Sequence, residues 1–367
     1  MVMVHSDGAS TPVIDASVHI HFRSNADFRG FLREPYRSRG IPDVQMDWWS
    51  RSGGDHARQA VAAAGRDHPA SDPDVTGDWL FNQKNVDVAV LHPMTRGVLP
   101  DRHLTSAVLA AHNEMMVSRW LDEGAYADRY RGTIRVNPED ITGALREIKR
   151  WRGHPRVVQL GVPMQTRELY GKPQFWPLWD AAAEAGLPVA VHLEGGTGIG
   201  LPPTPSGQPR SYEQYLGFSA LTYLYHLMNM IAEGVFEQTP NLKVVWADGA
   251  ADLLTPFIWR MDTFGRPHLE QTPWAPRMPS DYLPGHVYFV QGSLDGPGDV
   301  AFAGEWLGFT GKDSMLMFGS SYPNWQLNDP ATLARALTGE QRDRVLWRNA
   351  ADLYGIEINQ QEGAATP

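Results

Sequence analysis

Short apolar runs rich in β-branched residues recur along the chain, each followed by a polar loop and a stretch with helical spacing. The runs cover residues 13–21, 86–92, 132–136, 157–162, 188–193, 243–247, 286–290 and 315–318. Each is almost continuously hydrophobic rather than alternating, the pattern of a strand covered on both faces of a parallel sheet. Helical stretches lie between them at 101–121, 138–152, 175–185, 212–236, 254–263 and 340–353. The second opens on Pro-Glu-Asp, which suits a helix start, and the third ends on Gly186, which suits a helix stop. Eight strand runs alternating with helices predict an α/β chain folded as a (β/α)8 TIM barrel. An open dinucleotide-binding sheet lacks its signature, because no Gly-x-Gly-x-x-Gly follows the first run.

Two insertions interrupt the alternation, one after strand 1 (residues 23–78) and one after strand 5 (194–211). Both emerge where strands end in a barrel, the face that binds substrate. The first carries Trp48 and Trp49 and is a candidate lid within a single domain spanning 1–367.

Composition narrows the class. A chain of 367 residues with 42% hydrophobic residues can bury a large core, and its net charge of −10 disfavours nucleic acid and anionic membranes as partners. The absence of cysteine excludes disulfides, thiolate ligands and cysteine nucleophiles. No apolar run reaches membrane-spanning length, and the first ten residues carry no signal pattern, so the expectation is a cytoplasmic protein.

The chemistry concentrates at strand ends. His19 and His21 close the first run; two residues apart on a strand they share one face, over the barrel mouth. His192 closes the fifth run in the same way. Three such imidazoles suit a divalent cation such as Zn, Fe or Mn. Asp248 directly follows the sixth run, and Glu194 lies two residues beyond His192; either carboxylate can complete a ligand set or act as acid or base. Arg135 follows the third run and can meet a substrate carboxylate bidentately or form a rim ion pair. His92 is open between a pocket and a structural role, and His226 reads as a helix-face residue. Trp48, Trp49, Trp325 and Tyr322 suit a flat aromatic substrate and equally a core. Ser320-Ser321 has no nucleophile elbow around it.

The chain resembles the amidohydrolase-related branch of the amidohydrolase superfamily, which includes aminocarboxymuconate-semialdehyde decarboxylase and related aromatic-acid decarboxylases. The matching segments run nearly end to end: 13–21, 187–196, 234–245, Trp259-Arg260-Met261-Asp262, Pro279-Ser280-Asp281-Tyr282, 317–330 and 349–355. The resemblance implies a barrel, a mononuclear divalent metal and a dimer. It carries over metal ligands at His19, His21 and His192. It departs in two places. The branch reads Gly-Ser-Asp-Tyr-Pro-His where this chain has Gly319-Ser320-Ser321-Tyr322-Pro323-Asn324, and Ala-His-Gly where it has Ala247-Asp248-Gly249.

Two readings follow. In one, His19, His21, His192 and Asp248 (or Glu194) hold a metal, and the protein decarboxylates or hydrolyses a small aromatic or heteroaromatic molecule. In the other, the chain is a divergent subunit paired with an intact paralogous amidohydrolase-like chain. One form of that pair is an oxygenase fed by a Rieske-type ferredoxin, with iron held by histidines and one carboxylate.

Overall fold

The structure is a computed structural model that describes residues 11–39, 57–65, 67–95, 99–194, 212–294, 300–324 and 327–358. Eight parallel strands lie in sequential order: β1 (Ile14–Ile20), β2 (Val88–Pro93), β3 (Tyr130–Arg135), β4 (Val157–Pro163), β5 (Val189–His192), β6 (Val244–Ala247), β7 (Val287–Val290) and β8 (Leu316–Met317). Ala16 N–H donates to the Phe318 carbonyl (2.8 Å) and Ser321 N–H to the Ser17 carbonyl (3.0 Å), which joins β8 back to β1. The expected (β/α)8 barrel is the observed fold.

The sequence runs become strands because both faces find apolar cover. Along β2, Val88 and Val90 point into the barrel with Ile14, Ala16, Val245 and Met317, while Ala89 and Leu91 face the surrounding helices. The last helix among the described residues, Asn349–Tyr354, plugs the end of the barrel opposite the strand C-termini. Its Tyr354 hydroxyl donates to Gln159 Oε1 inside the barrel at 2.6 Å.

The expected helices are present with shifted ends. Arg102–Met115 starts at an Asp101 cap, and Ile141–Trp151 starts three residues later than Pro-Glu-Asp suggests, capped by Asp140. Trp176–Glu184 stops before Gly186, which takes the left-handed conformation (φ 67°) expected of a helix stop. The stretch at 340–353 divides into Gly339–Asp343, a wider turn over Arg344–Arg348, and Asn349–Tyr354. Helices Val300–Gly308 and Pro330–Arg335 were not anticipated. Among the described residues, no helix is long and apolar enough to cross a membrane.

In the first insertion, Asn25–Phe31, Arg58–Ala64 and Pro73–Gly77 are helical. Trp48, Trp49 and Trp325, and most of the second insertion, lie outside the described residues. Tyr322 is core rather than platform: it is buried and stacks on Trp79 at 4.3 Å between ring centroids.

Two buried histidines belong to the packing. His226 Nε2–H donates to the Met164 carbonyl (2.9 Å) and its ring stacks on Tyr170, and His112 Nδ1–H donates to the Val108 carbonyl (2.9 Å). Burial pushes both down from 6.5 to about 4. Their folded values lie below the unfolded one, so the unfolded chain takes up protons first. Stability is therefore lost as pH falls from 6.5 towards 4, by up to about 1.4 kcal/mol per pH unit for each histidine. Calorimetric melting across that window is expected to show a smaller decline for His226→Gln than for the parent protein. Identical slopes would count against this assignment.

Candidate metal centre

The register of the barrel explains how residues far apart in sequence meet. His19 on β1 lies beside His92 on β2, and His192 on β5 lies beside Ala247 on β6, whose next residue is Asp248. Parallel strands ending at one level deliver these side chains to one mouth. His19 Nε2 is 3.0 Å from His192 Nε2 and 3.1 Å from Asp248 Oδ2, and His192 Nε2 is 3.0 Å from the same oxygen. Among the described residues, this is the one group of three ligand-type side chains close enough to hold a metal ion.

Asp248 reaches this position through an uncommon backbone. Its φ is 70°, and those of nearby Ala250 and Ser321 are 72° and 56°. Such left-handed conformations in non-glycine residues cost free energy and gather at functional sites. Asp248 Oδ1 accepts from the Ser321 hydroxyl at 3.0 Å. Burial alone would raise the Asp248 carboxyl, but the charge and hydrogen bonds of His19 and His192 outweigh it and hold the group well below the usual carboxylate range. Asp248 is thus an anion at neutral pH. Burial also lowers His192, to about 4 despite the opposing pull of Asp248. A neutral imidazole with an available lone pair is the form that ligates metal.

The donor set fits a cation. His19 Nε2 has three polar neighbours at 3.0–3.1 Å: His192 Nε2, Asp248 Oδ2 and Ser17 Oγ. One N–H cannot serve all three, and with His19 Nε2, His192 Nε2 and Asp248 Oδ2 within 3.0–3.1 Å of one another no placement of ring hydrogens satisfies every contact. A divalent ion bound by His19, His192 and Asp248 relieves that conflict, and two imidazoles with one carboxylate suit Zn, Fe or Mn.

The structure places the other candidates differently. β1 ends at Ile20, so His21 does not continue the strand face. Its N–H donates to the Ala70 carbonyl (3.0 Å), and its ring packs on His68 with centroids 4.2 Å apart. The bulge between Asp15 and Val18 sets which side chains turn inward, and Ser17, not His21, sits next to His19. Ser17 carried no sequence signal of function.

Glu194 and Arg135 do not line the ligand triangle; they form a buried ion pair with each other, both about 1% exposed or less. Glu194 Oε2 also accepts from Thr95 N–H (3.2 Å) and Thr95 Oγ1–H (2.6 Å), and its Oε1 lies 3.7 Å from His192 Nδ1. Burial lowers the Arg135 guanidinium to about 10, still charged at neutral pH. With its partner fixed, Arg135 is not free to grip a substrate carboxylate. His92 is likewise a support. Its Nε2 contacts the Ala16 carbonyl (3.1 Å), its ring stacks on His192 (5.1 Å), and burial holds it well below 6.5.

Similarity to known proteins follows this geometry. A profile described as amidohydrolase matches residues 19–356. No curated protein sequence matches the chain. Among solved structures, 5-carboxyvanillate decarboxylase LigW from Sphingomonas paucimobilis is 22% identical with a TM-score of 0.66, covering 95% of this chain and 100% of that one. Dihydroxybenzoic acid decarboxylase from Polaromonas sp. JS666, solved with bound manganese and the inhibitor 2-nitroresorcinol, is 16% identical with a TM-score of 0.67, covering 96% and 99%. An amidohydrolase from Mycobacterium avium subsp. paratuberculosis K-10 is 18% identical with a TM-score of 0.70, covering 94% and 99%. The structural likenesses carry the barrel, the profile match spans most of the sequence, and the chain belongs to the amidohydrolase family.

Proposed function

We propose that the protein is a metal-dependent, cytoplasmic enzyme that decarboxylates or hydrolyses a small aromatic or heteroaromatic acid. The observation that carries this reading is the convergence of His19, His192 and Asp248 at the strand C-termini of an amidohydrolase barrel. Support comes from structural neighbours that act on hydroxylated benzoic acids, one of them with manganese bound.

His19, His192 and Asp248 would hold the cation, which when bound supplies a Lewis acid that polarises a substrate oxygen. Asp248, kept ionised, is suited to ligation, with the Ser321 hydroxyl donating to its Oδ1. A carboxyl held so low is a weak base, which suits it to the role of ligand over that of proton acceptor. Glu194 and Arg135, being tied to one another, act by holding His192 in place and not on substrate.

Protein loaded with Mn2+ is expected to release CO2 from a panel of ortho-hydroxylated benzoic acids, and to lose that activity on dialysis against chelator. Carbon dioxide release unaffected by chelator, or no turnover of any acid in the panel by fully loaded protein, would count against the reaction assigned.

The donor set itself favours a second reading. Two histidines and one carboxylate, with no fourth protein ligand among the described residues, is the ligand set of non-haem iron oxygenases. In that case the chain is one subunit of a heteromer with a paralogous amidohydrolase-like chain, supplied with electrons by a Rieske-type ferredoxin. Stoichiometric iron and co-purification with such a paralogue would favour it over a homodimeric decarboxylase.

A further inference from the structure

Strand β1 and the turn at 319–322 that follows β8 meet beside the metal centre, and each carries a serine that reaches it. Ser17, in the bulge of β1, has its hydroxyl 3.1 Å from His19 Nε2. Ser321, in the turn, donates its hydroxyl to Asp248 Oδ1 at 3.0 Å. The backbones of the two segments are laced together. Ser321 N–H donates to the Ser17 carbonyl at 3.0 Å, and His19 N–H donates to the Tyr322 carbonyl at 2.7 Å. Packing at this seam is close: a Cβ on Gly319 would lie 2.9 Å from Ser17 Cβ and 2.5 Å from Val290 Cγ1.

The bulge and the turn each leave one N–H outside this lacing, that of Ser17 and that of Ser320. Both donate to a single atom, Asp15 Oδ1, at 3.2 and 2.9 Å. Asp15 is fully buried, and burial raises its carboxyl to about 6 even against the hydrogen bonds of Ser320 and Ser17. Keeping such a group away from water is costly, so packing alone does not account for it. What its oxygen does hold is geometry. Ser321 sits in the left-handed region at φ 56°, a conformation that persists in a serine where the surroundings fix it.

We propose that Asp15 is a positioning residue of the metal centre, its one oxygen fastening the β1 bulge to the turn at 319–322 and so placing the Ser321 hydroxyl on Asp248. The inference rests on the reading that His19, His192 and Asp248 bind a divalent cation. It adds a residue that touches none of the three and acts on Asp248 through Ser320 and Ser321. The acceptor oxygen of Asp15 is what matters to this role, and its charge is not.

The test is a double-mutant cycle on the full-length protein, with Mn2+ affinity as the readout and circular dichroism as the check of folding. Asp15→Ala and Ser321→Ala are each expected to weaken Mn2+ binding about ten-fold, the lower end of what groups behind a ligand contribute. The protein carrying both should bind about as well as Ser321→Ala alone, because the path from Asp15 to Asp248 is already cut. Asp15→Asn, which keeps an acceptor oxygen for the two N–H groups, should bind Mn2+ as the parent does. Should Asp15→Ala not fold, Asp15→Ser, whose hydroxyl is too short to reach both N–H groups, takes its place in the cycle. Costs that simply add in the double variant overturn the proposal, since Asp15 then does not act through Ser321. So does an Asp15→Asn protein that binds as weakly as Asp15→Ala, which would make the charge and not the acceptor responsible. A parent protein that takes up no Mn2+ contradicts the cation site itself, whereas a parent that binds Mn2+ while the costs add contradicts only the role of Asp15.

Discussion

Asp248→Asn is expected to abolish turnover and to weaken metal binding by about a hundred-fold or more, beyond what a change behind a ligand costs. The substitution is close to isosteric, and asparagine tolerates the left-handed backbone that residue 248 adopts at φ 70°. The amide oxygen can still accept from Ser321 at the position of Oδ1. What disappears is the negative charge that His19 and His192 hold in the ionised form, and with it the one anionic ligand of the centre. Folding should survive, since the side chain is 17% exposed and its removal leaves no charge buried without a partner. Metal titration together with circular dichroism separates the outcomes. A folded protein with unchanged metal affinity would remove Asp248 from the ligand set.

The second large effect is on stability. Glu194→Ala is expected to cost about 3–5 kcal/mol, because the guanidinium of Arg135 remains in the barrel with its buried partner gone. The loss of the Thr95 hydrogen bonds adds to the cost. In a chain of this size that corresponds to a fall of about 10 °C in melting temperature. The double variant Glu194→Met with Arg135→Met should recover much of the loss, since replacing both charges by apolar groups leaves no ion uncompensated. If the double variant melts as low as the single one, the pair is not the origin of the effect. Metal binding should stay weakened in the double variant, because His192 Nδ1 has lost the carboxylate 3.7 Å away.

How much of this was legible beforehand depends on the length scale of the feature. Strand runs such as 157–162 are marked by residues next to one another in sequence, and the barrel follows from their number and order. Helix starts were displaced where a proline and acidic residues form a turn before the cap, as at Pro138-Glu139 ahead of Asp140. His19, His192 and Asp248 could be singled out as candidates because each lies within one residue of a strand end, and strand ends in a barrel meet. His21 was misplaced because the two-residue period holds only while the strand lasts, and β1 ends one residue earlier. Glu194 and Arg135 were recognised as chemically capable. Nothing in the one-dimensional pattern marks that the two neutralise each other across β3 and β5. Asn324 stood out only as a departure from the family pattern. Its contact with His19 Nδ1 (2.9 Å) is a property of three-dimensional placement alone.

The most direct test of the central claim is the metal content of the protein purified without chelator or nickel affinity resin, measured by mass spectrometry beside His192→Ala. One equivalent of Mn, Fe or Zn per chain in the parent, lost in the variant, is the predicted result. A folded parent protein that holds no divalent metal and takes none up on titration would contradict the account.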